Sequence, residues 1–209
     1  MKKYISKKTI LLTSVALLLL TAVGTTLAYL VTTPETVENT FTPSRVSCAV
    51  VEDGGDPVSG ALVNTGDSKN NVQIKNTGDT DAYIRVAVVV NWTGADGTKI
   101  WANKPVEGTD YKIVYNLSDD GWVKGSDGFY YYSKAVSPTS PDNLTSILIK
   151  EAKLMDGVTP PTGTDNTQYY LSVEIVASAI QATSKAVKDW SNSVATAATD
   201  GANLSILAQ

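Results

Sequence analysis

Histidine is absent from all 209 residues, and cysteine occurs once, at Cys48. The first absence excludes Ser-His-Asp and Cys-His catalysis, HExxH zinc sites and most transition-metal sites together. The second rules out an intramolecular disulfide. Cys48 lies too far beyond the leader's apolar core to be a lipidated cysteine, which leaves a small buried strand residue or a free thiol linking two chains. No Asp-x-Asp-x-Asp-Gly calcium loop is present. The remaining Asp, Glu, Lys and Tyr are scattered rather than gathered among apolar neighbours, and the chain reads as a non-enzyme without cofactor or metal. Beyond the first eight residues, clustered Lys and Arg are also missing from an acidic chain, which argues against nucleic acid as a partner.

The charges that do occur are unevenly placed. Met1–Lys8 carries Lys2, Lys3, Lys7 and Lys8 and no acid, and nothing from Thr9 to Pro34 is charged. An apolar run over Ile10–Ala22 ends near Thr26 and Ala28, small residues at the two positions a signal peptidase reads. This order predicts a signal helix over residues 1–28, cut before Tyr29. The alternative is a retained anchor, since about 20 apolar residues can span a bilayer. Either reading places residues 29–209 outside the cytoplasm, secreted or at the cell surface. Without the leader, 13 basic residues face 21 acids, a net charge of −8. The remaining length, about 180 residues, suffices for one domain with a full core.

Behind the leader, Tyr29, Leu30, Val31, Thr32 and Thr33 form a β-prone stretch without a helix start, followed by a polar link to Asn39. Residues 29–41 therefore read as an N-terminal extended segment, and residues 42–209 as the folded domain. Thr40–Glu52 resumes strand-like composition, Asp53–Ser59 is dense in turn formers, and Gly60–Asn70 reads as a loop. Asn71–Lys75, a turn at Asn76–Asp79, and Asp81–Trp92 give the clearest strand signal. Ile84, Val86, Val88 and Val90 share one aliphatic face that should point into the core; Tyr83, Arg85, Ala87 and Val89 share the other. Tyr111–Asn116 alternates. Trp122–Lys124 and Phe129–Ser133, joined by Gly125–Gly128, read as a hairpin. Leu144–Leu154 fits either a strand or a helical repeat, the strand being preferred. Gln168–Ser178 is a strong strand. Ala182, Ala186, Trp190 and Val194 then mark a helical stripe within Ala179–Ala198, and Asn203–Gln209 is a short strand or disordered. The sum is an all-β, antiparallel β-sandwich with a short C-terminal helix.

Four stretches carry a family resemblance: AYLVTTPETVENTFT after the leader, KNTGDTDAYIRV, DGFYYYSKAVSP and EIVASAIQA. Together and in this order they resemble the TasA/camelysin-type exported proteins, from Met1 to about Trp190. The resemblance implies a leader cut by a SipW-type signal peptidase and a jelly-roll-like sandwich. It further implies a subunit of a biofilm-matrix fibre, in which the N-terminal segment of one copy completes the sheet of the next. Tyr29–Phe41 would be that donor strand. Camelysin-type members have also been labelled metallopeptidases; here Asp53, Asp56, Asp79, Asp81, Asp119, Asp120 and Asp127 all sit in turn-like stretches and read as turn formers.

Two functions follow as expectations. The first is a secreted structural subunit that self-associates into fibres by strand addition. The second is a monomeric module that binds matrix polysaccharide through surface aromatics on the hairpin. Trp122, Tyr130 and Tyr132 are the candidates, with Phe129 and Tyr131 on the opposite face.

Overall fold

The computed structural model describes residues 44–53, 62–63, 68–119, 121–190, 194–197 and 202–208. The chain divides into two units, residues 1–43 and residues 44–209. The predicted leader, its cleavage residues Thr26, Ala28 and Tyr29, and the donor strand fall in the first unit, outside the described residues. Asp56 and Asp120 also lie outside them.

The second unit is all-β and antiparallel. Four strands form one sheet: β1 (Cys48–Val51), β3 (Ser68–Asn76), β8 (Ile149–Leu154) and β5 (Tyr111–Tyr115), in that spatial order. Five form the other, in the order β2 (Leu62–Val63), β9 (Tyr169–Gln181), β4 (Ala82–Gly94), β7 (Tyr130–Tyr132) and β6 (Trp122–Lys124). The spine is the β4–β9 ladder, registered from Ala82↔Gln181 to Gly94↔Tyr169. Its β-branched residues suit a pleated, packed surface. Both sheets feed one core: Val72, Ile74, Ile113 and Ile149 from the first meet Ile84, Val86, Trp122 and Leu171 from the second. Two antiparallel sheets around a shared core are compatible with a β-sandwich.

The outer face of the five-stranded sheet is covered at one end. Tyr83 and Tyr131 are fully buried there against Val187, Val194, Ala195 and Leu204. Val187 lies on α1 (Ser184–Trp190), Val194 directly precedes β10 (Ala195–Ala197), and Ala195 and Leu204 belong to the small antiparallel pair of β10 with β11 (Leu204–Ile206). Phe129 and Trp190 close over Arg85, whose guanidinium carbon lies 4.4 and 4.9 Å from their ring centres. A charged side chain in an aliphatic strand is thus held by two aromatic faces.

Three predicted elements need correction. β3 begins at Ser68, because Ser68–Asn70 pair with Glu151–Lys153 despite their polar composition. The helix over Ala179–Ala198 contracts to seven residues. Ala179–Gln181 are drawn into the ladder with Ala82–Ile84, and Ala195–Ala197 pair with Leu204–Ile206. Thr183 starts the short helix, its hydroxyl accepting from the Ala186 amide at 3.2 Å. Over Leu144–Leu154, only Ile149–Leu154 is strand, while Leu144 makes a single bridge to Lys75.

Candidate functional site

The inward rows of the two sheets are not evenly sealed. Along β4, Ile84 and Val86 are fully buried and Trp92 nearly so, yet Val88 and Val90 between them are only half-buried. Along β9, Leu171 and Val173 are fully buried, whereas Ile175, Ala177 and Ala179 are half-buried. In β1, Cys48 and Val50 pack on the same core and are half-buried too. Of these, Ile175, Ala177, Ala179, Cys48 and Val50 lie on β9 and β1, which run close together on one flank, whereas Val88 and Val90 lie on β4 beyond Val86, where its pairing with β7 ends. Burial raises the pKa of the Cys48 thiol and so favours its protonated form.

The hydrogen-bonding edges coincide with that flank. β9 pairs with β4 along its whole length. On its other side, among the described residues, only Leu62 and Val63 pair with it, opposite Ser172 and Leu171. β1 pairs with β3 through Cys48↔Asn76 to Val51↔Gln73, and its far side meets no strand among the described residues. The result is two strand edges bordering a row of half-covered Val, Ile, Ala and Cys side chains. Such an edge offers backbone N–H and C=O groups to an added strand, and the apolar row supplies what its side chains would cover.

The other two sheet ends carry caps or irregularities. At β6, Ser118 donates its amide to the Trp122 carbonyl at 3.0 Å, and Ala208 bridges Gly125. β5 is interrupted by a register shift between Val114 and Tyr115. Caps and irregularities of this kind discourage pairing.

The three residues predicted as a sugar platform do not form one. Trp122 is 0% exposed and donates its indole N–H to the Ser146 carbonyl at 2.8 Å. Tyr130 is 6% exposed and stacks on Tyr115 with centroids 4.7 Å apart. Tyr132 is half-buried and tilted against Trp122. The expectation that one face of the hairpin is surface fails because both faces are covered, one by the core and the other by α1 and the β10–β11 pair.

The turn carboxylates have structural tasks. Asp53 accepts from the Asn71 side-chain amide, Asp79 from the Arg45 amide, and Asp127 from the Phe129 amide and the Tyr131 hydroxyl. Among the described residues, no three His, Cys, Asp or Glu side chains gather closely enough to hold a metal. The half-buried row itself was missed at the level of sequence. Its residues are apolar and alternate as any core row does, so only the three-dimensional burial separates Val88 from Val86. No family model, curated protein or solved structure matches the chain.

Proposed function

We propose that the chain is a secreted structural subunit that polymerises by strand addition, the Tyr29–Phe41 segment of one copy seating on the β1/β9 flank of another. The half-buried Cys48 and Val50 of β1 and Ile175, Ala177 and Ala179 of β9, along two strand edges, carry this reading. A strand of about ten residues satisfies an edge with main-chain hydrogen bonds while alternate side chains enter the core. In Tyr29–Thr33, either Tyr29, Val31 and Thr33 or Leu30 and Thr32 could face inward, and both sets suit a pleated surface. The resemblance to TasA/camelysin-type proteins favours the same reading. It adds removal of the leader by a SipW-type signal peptidase, a jelly-roll strand order and an extracellular matrix setting.

The test compares proteins spanning residues 29–209 and 42–209 by electron microscopy. Fibres from the longer protein alone are the expected result. Fibres from both would remove the donor strand from the mechanism, and monomers from both under all conditions would end the assembly reading.

A further inference from the structure

A second concave feature lies in the loops beyond the ends of β4 and β9. It is a shallow, open cleft of about 280 Å³ lined by Ala95, Asp96, Lys99, Thr167, Gln168 and Tyr170. That is just under the range of about 300–1,000 Å³ typical of drug-sized ligands, room for one ring-sized group. Tyr170 is half-buried on the outer face of β9, and beside it stand Ala95 and the polar Asp96, Lys99, Thr167 and Gln168.

The walls are fixed in advance. Lys99 Nζ donates to Asp165 Oδ2 at 2.6 Å and to Thr167 Oγ1 at 2.8 Å. Asp96 accepts from the Thr98 amide and hydroxyl at 3.0 and 2.8 Å. Gln168 Oε1 accepts from Thr162 Oγ1, and its amide nitrogen donates to the Tyr169 carbonyl. Main-chain bonds from Gly94 to Lys99 and from Gly163 to Thr167 close the two loops. Groups already held in place lose little further freedom on binding. They also keep capacity: an ammonium has three donors and a carboxylate about four acceptor sites, of which these contacts use only part.

Charge narrows the ligand. One ammonium stands among two carboxylates. The hydrogen bond from Lys99 holds Asp165 well below the usual carboxylate range, and the Thr98 amide lowers Asp96, so both are ionised at neutral pH. An anion would meet net repulsion. A neutral polyhydroxylated ring would instead lay its C–H face on Tyr170 and its hydroxyls on the fixed donors and acceptors. We infer that this cleft binds one neutral sugar residue of a polysaccharide, independently of strand addition and without the buried hairpin aromatics.

Calorimetry on the intact chain tests it, with cellotetraose and chitotetraose as neutral probes and trigalacturonate as the anionic one. The expected result is millimolar binding of a neutral probe and none of the uronate. Tyr170→Ala should weaken binding about tenfold or more, while Tyr170→Phe, which keeps the ring, should stay within about twofold. Lys112→Ala, on the exposed side of β5, should leave affinity unchanged. If Tyr170→Ala does not fold, Gln168→Ala, at an exposed wall position, should give the same loss. No binding of either neutral probe, tighter binding of the uronate, or unchanged affinity in both the Tyr170→Ala and Gln168→Ala variants would overturn the assignment.

Discussion

Asn76 shows how much a single side chain can organise. It is 1% exposed and accepts from the Gly78 amide at 2.9 Å. Its own amide donates to the carbonyls of Thr80 and Val136 at 2.9 and 2.8 Å. The turn after β3 and the chain following β7 are therefore tied through one buried group. Asn76→Ala leaves those partners unpaired and should cost about 2–3 kcal/mol, read as a lowered denaturation midpoint in urea. The tyrosines set a second expectation. Burial raises the pKa of Tyr111, Tyr115, Tyr130 and Tyr131, Tyr115 most strongly. Each folded pKa then exceeds the unfolded value of about 10, so this contribution is complete below about pH 10 and is lost as pH rises toward the folded values. Cys48, raised in the same sense, begins the decline from about pH 8.5. With no histidine to titrate, stability should be level through neutral pH and fall in alkali. Tyr115→Phe should flatten the alkaline limb in urea titrations across pH.

Among the elements, α1 and the β10–β11 pair behave as a cover for one end of the outer sheet face. Gly125 allows their close approach, since a Cβ there would stand 2.8 Å from Val194 Cγ1 and 2.9 Å from Tyr131 Cε2. The Arg85 stack supplies the other fastening. Trp190→Ala removes one face of the stack and an edge contact to Tyr131, and should cost about 2 kcal/mol. Hydrogen exchange should show the loss confined to α1, β10 and β11. Much of this scale was legible beforehand. β4, β9 and the β6–β7 hairpin announce themselves through alternation and turn chemistry, while Asn203–Gln209 reads equally as a short strand or as disorder. The long helix was not legible correctly, because an Ala-rich, four-spaced stripe carries no sign that β9 runs on past Ser178 to pair Ala179–Gln181 with Ala82–Ile84. Composition was equally silent about which hairpin aromatics lie inside, since that depends on elements distant in sequence covering both faces.

At the scale of the whole molecule, the sequence predicts an export leader with a β-prone segment behind it, and the fold supplies an unevenly sealed flank. Ala177→Lys separates folding from assembly. The position is half-buried and borders the flank, so the substitution should cost only about 1 kcal/mol while abolishing fibres in electron micrographs. The most direct measurement adds a synthetic peptide of residues 29–41 to the protein spanning residues 42–209 and follows amide exchange. Strand addition predicts saturable binding, with new protection concentrated in β1 and β9 and a higher melting temperature. Absence of binding, or protection appearing at β5 or β6 instead, would contradict the account.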